Sequence, residues 1–285
     1  MSNMAQLENK YSGHVEFSPH FRKRHSIQYV VFDFDGTLSL VREGWPEVML
    51  PMFVEMLPDK TGESEESVKN MLLDDIMKLN GKQTIYQMIQ LAERIKERGG
   101  SPKEPLWYKH EYLRRLDLRI QNRKQAILSG EIKADEHVVH GARHMLDLLT
   151  SKGLPVYLAS GTDEPFVKEE AKILGLDHYF KGHIYGALDD YKSFSKKMVI
   201  DRILRENNIP GERLLSFGDG YVEIENTKEV GGLAVAVASD EANNGSGNID
   251  EWKRERLMGV GADVLIPDYR DIEVLMPQLT DQPAF

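Results

Sequence analysis

The chain is 285 residues long, 41% hydrophobic and 29% charged, with a formal net charge of −10 and no cysteine. That length can supply two compact units. The acidic balance argues against a general nucleic-acid or anionic-membrane binder, which needs basic surface, and without thiols there are no disulfides, thiolate metal sites or thiol nucleophiles.

No stretch reaches the length of a membrane span, and the N-terminus has no apolar leader, so a cytoplasmic protein is expected. Residues 1–26 are polar, with a basic run at Arg22, Lys23, Arg24 and His25. They read as an N-terminal extension whose charges are solvated. The first structural signal is Tyr29, Val30, Val31 and Phe32, a short β-branched and aromatic run followed by Asp33, Asp35 and a break at Gly36. Such a run reads as a buried strand of a parallel sheet, and ligands bind beyond the carboxyl ends of such strands. A carboxylate is costly to bury unpaired, so two of them leaving a core strand suggest a cation between them. Alone, an Asp-x-Asp is more simply a strand ending in a solvated turn.

The pattern then changes to helix. Trp45, Val48, Met49, Met52, Phe53, Met56 and Leu57 share one helical face. Residues 64–80 and 83–98 repeat the period and are closed by Gly81 and by Gly99-Gly100. Residues 106–128 carry Leu113, Leu116, Ile120 and Ile127 among many Arg and Lys. Residues 44–134 are thus expected to be an all-helical unit, its methionines and aromatics serving helix packing.

From residue 138 strands and helices alternate. Helical residues 138–151 precede an apolar run at 154–159, which leads into Ser160-Gly161-Thr162 and a helix over 164–174. A short strand is expected at 183–186, a helix at 194–207, and a strand at 214–217 leading into Gly218-Asp219-Gly220. Further strands are expected at 233–238 and 264–266, with a turn-rich loop at 243–248 before a charged helix over 249–258. This alternation implies a doubly wound, Rossmann-like α/β core of parallel strands. The core comprises residues 27–43 and 135–285, with 44–134 inserted into it.

Four strand ends in order carry polar groups: Asp33 and Asp35; Ser160, Gly161 and Thr162; a lysine near 197; and Asp219 with Glu223. In the motifs Phe-Asp-Phe-Asp-Gly-Thr-Leu and Phe-Gly-Asp-Gly-x-x-Glu, and in their order, the chain resembles the haloacid dehalogenase-like hydrolase superfamily, in which aspartate-nucleophile phosphatases predominate. The resemblance covers 27–43 and 135 to about 270, with a helical cap between the first and second motifs.

The resemblance implies a magnesium-dependent hydrolase of a small phosphorylated metabolite, a sugar phosphate or similar monoester. Asp33 would attack phosphorus, splitting one difficult step into two, and Asp35 would serve as general acid and base. Mg²⁺ would be held by Asp33, Asp219 and the backbone carbonyl of Asp35, with Glu223 supplying a carboxylate to the metal or its waters. The family usually has aspartate where Glu223 stands, and Glu225 competes for the place. Ser160, Gly161 and Thr162 would bind phosphate at a helix start, although Ser-Gly-Thr is by itself an ordinary helix cap. Lys197 fits the third motif best, with Lys196 as the alternative and Lys192 also preceding the helix. Arg42, Lys82 and Gln83 are the substrate-contact candidates from the insertion and its entry. A phosphosugar mutase shares these features. A dehalogenase is disfavoured by the acid at position 35, and a binding module without catalysis by the intact motifs.

Overall fold

The computed structural model describes residues 11–282, and its sheet is organised around the Tyr29–Phe32 run. Strand β1 (Glu16–Phe17) is followed by β2 (Tyr29–Phe32), and β2 by four helices with no strand between them: α1 (Pro46–Met56), α2 (Glu65–Lys78), α3 (Ile85–Glu97) and α4 (Pro105–Ser129). Then come α5 (Ala142–Ser151), β3 (Val156–Asp163), α6 (Glu164–Ile173), α7 (Asp177–Phe180), β4 (Ile184–Ala187) and α8 (Lys196–Asn207). The chain continues through β5 (Leu214–Gly218), α9 (Tyr221–Glu229), β6 (Leu233–Val237), α10 (Glu251–Gly259), β7 (Val264–Ile266) and α11 (Ile272–Leu279).

The seven strands lie in the order β1-β7-β6-β5-β2-β3-β4. All pairings are parallel except that of β1 with β7. The alternation of a pleated strand sends Val30 and Phe32 to one face and Val31 to the other. The first face meets α5 through Met145, Leu146 and Leu149, and the same apolar cluster runs on into α1, α3 and α4. On the second face Val31, Tyr157 and Leu214 pack against Val199, Ile200 and Ile203 of α8, and Ala234 and Leu265 against Leu257 of α10. This is a doubly wound α/β sheet with an inserted all-helical unit.

Register places the chemistry. Phe32 is level with Leu158 of β3 and Phe217 of β5, and the rings of Phe32 and Phe217 stack at 5.0 Å. Asp33, Ala159 and Gly218 are therefore neighbours one step on, and the polar groups that follow each strand meet above the sheet.

Several elements differ from the sequence reading. Strand β3 runs on through Ser160, Gly161 and Thr162 to Asp163, which pairs with Ala187 of β4 after a shift of register past Ala159. Helix α5 starts at Ala142, after the left-handed Gly141, and β1, α7, α9 and α11 were not anticipated. Part of the basic N-terminal run is fastened, contrary to the solvated arm expected. The Arg24 guanidinium donates to the carbonyls of Gly231 and Gly232 just before β6, and Lys23 pairs with Asp281 at 3.1 Å. The rest of the extension, residues 1–10, lies outside the described residues. The many cations of α4 also have work: Lys109 meets Asp163 at 2.8 Å, Lys124 meets Glu169 at 2.7 Å, and Arg123 donates to the Val41 carbonyl at 2.6 Å. These bonds tie the inserted helices to the core.

Candidate active site

Asp33 continues the ladder one residue past β2, its N–H donating to the Phe217 carbonyl at 2.9 Å. Its side chain is buried, and Oδ1 lies 2.9 Å from the Lys196 ammonium. Burial pushes its carboxyl up to about 6, with Lys196 opposing and the charge of Asp219 adding to the rise.

The next turn brings Asp35 to β3. Thr162 Oγ1 donates to Asp35 Oδ2 at 2.7 Å, while Oδ1 is buried with no hydrogen-bond partner among the described residues. Desolvation raises its carboxyl to about 7, Arg42 and Thr162 opposing and Glu170 adding to the rise. Gly36 turns the chain with a φ of +70°, and a Cβ there would lie 2.2 Å from Asp219 Oδ2. Only glycine admits both the left-handed backbone and the carboxylate.

From β3, Ser160 is buried, and its Oγ accepts the Thr162 N–H at 3.0 Å. That leaves the serine hydroxyl proton free to donate. Gly161 lies under the inserted unit: a Cβ would come within 2.7 Å of the Lys82 carbonyl. From β5, Asp219 receives Lys253 on Oδ2 at 3.0 Å, and its N–H donates to Thr37 Oγ1.

The lysine of the site is Lys196, which corrects the preference for Lys197. Ser195 caps α8 by accepting from the Met198 N–H, and this sets the phase of the helix. Neighbouring helical residues point about 100° apart, so only one of the two lysines faces the sheet. Lys196 is buried against Asp33 and Glu223; Lys197 is outside, paired with Glu229 at 2.7 Å. Lys192 is exposed. Glu223 is buried and has Lys196 as its ion-pair partner, while Glu225 is exposed.

The insertion's candidates divide. Arg42 lines the cavity but is spent on Glu170, an ion pair with both ends buried, with Nη2 at 2.7 Å and Nε at 3.0 Å. Lys82 lines it from the rim. Gln83 instead donates to the carbonyls of Tyr191 and Phe194, pinning the loop before α8. It is therefore a loop anchor and not a substrate contact.

Two residues of the site escaped the sequence reading. Lys253 of α10 is buried with its ammonium against Asp219 and against Glu241 at 2.7 Å. Although burial opposes its charge, these two carboxylates hold Lys253 well above the usual lysine range. The polar Ser239-Asp240-Glu241 segment just past β6 was the one available hint, since it repeats the pattern of polar groups following a strand.

Asp33, Asp35, Arg42, Lys82, Ser160, Gly161, Thr162, Lys196, Asp219 and Glu241 surround one cavity of about 80 Å³, with Trp45, Asn80, Gln87 and Tyr112 of the insertion on its far side. Among the described residues, no group of three or more His, Asp or Glu side chains is disposed to hold a metal. Magnesium does not require one, because it keeps several waters and takes one or two carboxylates. The donors here suit it: two hard carboxylates, Asp33 and Asp219, beside the Asp35 carbonyl. Charge favours a cation as well. The six carboxylates Asp33, Asp35, Glu170, Asp219, Glu223 and Glu241 stand against three buried cations, Arg42, Lys196 and Lys253.

A family model described as hydrolase, haloacid dehalogenase-like hydrolase, matches residues 27–231. Among curated proteins none matches this chain in sequence. Among solved structures, one similar to it is a predicted phosphatase from Clostridium acetobutylicum, at 18% identity and a TM-score of 0.59 over 90% of this chain and 100% of that one. Another is a β-phosphoglucomutase from Clostridium difficile, at 13% identity and 0.60 over 89% and 97%. A third is a predicted phosphoglycolate phosphatase from Haemophilus somnus, at 15% and 0.58 over 88% and 98%. At such identities the likeness to these structures concerns the fold.

Proposed function

This chain belongs to the haloacid dehalogenase-like hydrolase family, and from that premise we propose that it is a magnesium-dependent phosphatase of a small phosphorylated metabolite, acting through an aspartyl-phosphate on Asp33. The observation that carries the reading is the meeting of Asp33, Asp35, Ser160, Lys196 and Asp219 around one cavity at the carboxyl ends of β2, β3 and β5 and the start of α8.

An Asp33 oxygen attacks phosphorus, and the bond to the ester oxygen breaks as the new one forms. The departing alkoxide takes its proton from Asp35, whose carboxyl at about 7 retains a proton in a substantial fraction of molecules at neutral pH. Thr162 steadies Asp35 through Oδ2, leaving Oδ1 for that transfer. Water then attacks the phosphorus of the acyl phosphate and gives a proton to the Asp35 carboxylate. Phosphate leaves and Asp33 is regenerated. The Ser160 hydroxyl and the Lys196 ammonium hold phosphoryl oxygens, and Glu223 keeps Lys196 in place. Asp33, Asp219 and the Asp35 carbonyl would hold Mg²⁺. Its positive charge, when bound, offsets the repulsion between Asp33 and the incoming phosphate dianion.

The inserted helices form a cap that closes on the core where the Lys82 carbonyl covers Gly161 and Gly81 meets Gly220. The small volume and the Asn80, Tyr112 and Trp45 side chains that line the cavity support a compact, hydroxyl-bearing leaving group such as a sugar. In a screen of sugar phosphates, nucleotides and phospho-acids, free phosphate is expected from a small monoester without a bisphosphate activator, which separates the reading from a mutase. Chelation should abolish that release and added Mg²⁺ restore it. Turnover that survives chelation would contradict the metal assignment, and metabolite binding with no turnover would contradict the enzyme.

A further inference from the structure

Lys253 stands outside the four motifs, yet all three of its ammonium protons are directed into the site. Its acceptors are Asp219 Oδ2 at 3.0 Å, Glu241 Oε1 at 2.7 Å and Ser239 Oγ at 3.1 Å. Ser239 in turn donates to the Gly36 carbonyl at 2.6 Å. One hydrogen-bonded chain therefore links the Asp33 turn, the Asp219 loop and the segment past β6. Lys253 has the position that delivers this: Asp250 caps α10 by accepting the Lys253 N–H, and Leu257, one turn on, is buried on the same face. An ammonium is expensive to bury, and an apolar residue would pack α10 on the sheet more simply.

We propose that Lys253 is a resident cation on the carboxylate that the divalent metal must share, and that with Glu241 as its counter-charge it sets how tightly the site holds that metal. The inference rests on the metal reading above. A divalent ion arriving at Asp219 meets an ammonium already on Oδ2, and like charges sharing one carboxylate repel strongly where water is scarce. Glu241 offsets that repulsion. It faces the same cradle, 2.9 Å from where a Cβ on Gly36 would stand. Lys253 thus holds Asp219 in place in the metal-free protein and lowers affinity for the metal, which favours exchange over permanent occupancy, while Glu241 limits that loss. Both residues act on the metal through Asp219 and are positioning residues.

The two partners have opposite charge, so the variants should move affinity in opposite directions. Titration calorimetry of the full chain with Mg²⁺, and with Mn²⁺ as a second probe, should give binding about ten-fold tighter for Lys253→Met and about ten-fold weaker for Glu241→Gln. The metal-induced rise in unfolding temperature should follow the same order. A scaffold alone would weaken metal binding in both variants, and that result, or no change in either, overturns the proposal. The Glu241→Gln arm is isosteric and is read even if Lys253→Met folds poorly; unchanged or tighter binding there overturns the proposal by itself. Should the wild-type chain bind neither ion, the metal reading falls and takes this inference with it. Wild-type binding with unmoved variants removes the inference alone.

Discussion

Asp33→Asn is expected to lower phosphate release by on the order of 10⁴-fold or more while leaving the metal-free fold at least as stable as before. The amide keeps the shape and can still accept from Lys196, but it cannot form the acyl phosphate. Its effect on stability has the opposite sign from the usual cost of losing a buried ion-pair partner. Asp33 is raised to about 6 by burial, and the charge of Asp219 adds to the rise. The folded state therefore binds its proton more tightly than the unfolded chain does. Stability from this group is present at low pH and is lost as the pH rises through about 6. At neutral pH an ionised Asp33 in the metal-free protein is a liability kept for chemistry. Phosphate-release rates and the thermal midpoint, measured on the same preparations, check both halves. A variant that is inactive and also unfolded would leave the stability half refuted.

The second large effect separates two adjacent lysines. Lys196→Met removes a buried ammonium that Asp33 and Glu223 share. Breaking such a network typically costs about 3–5 kcal/mol, because the surviving charges stay buried and unpaired. Loss of a positioned cation at the phosphoryl group should lower kcat by roughly 10²–10³-fold. Lys197→Met, on the outer face of α8 with an exposed partner, should change neither stability nor kcat appreciably. Urea midpoints and kcat for the two variants are the measurement. Equal losses, or a larger loss at Lys197, would mean that the helix sits in another phase.

That contrast also marks how far the sequence could be read. The β2 run with Asp33, Asp35 and Gly36 is a local pattern, apolar until the turn, and the structure places both carboxylates at the cavity. The succession of strands and helices likewise depends on short-range periodicity, so the doubly wound sheet and its helical insertion were visible. Choosing between Lys196 and Lys197 requires the helix phase, which one capping hydrogen bond from Ser195 decides. Arg42 was recognisable as close to the site, but its partner Glu170 lies on α6, far along the chain, and takes up the charge expected for substrate. Gln83 looked like a polar turn residue facing the site. Only the approach of the 191–194 loop shows that its amide is used elsewhere. Glu241 had only the polar segment past β6 to mark it, and Lys253 had no local signature. A charged helix reads as surface until packing turns one of its lysines inward. The two-residue β1 is too short for any alternation to register.

In the proposed mechanism Asp33 forms a covalent bond to phosphorus and Asp35 manages the protons. Asp35→Asn with an aryl phosphate separates the two roles, because a good leaving group departs without a proton while the attack of water still needs a base. A burst of about one phenol per site followed by slow turnover is expected. Borohydride added during the burst should reduce the acyl phosphate and leave homoserine at position 33 in the peptide map. Steady turnover with no burst, or homoserine at any other position, would contradict it.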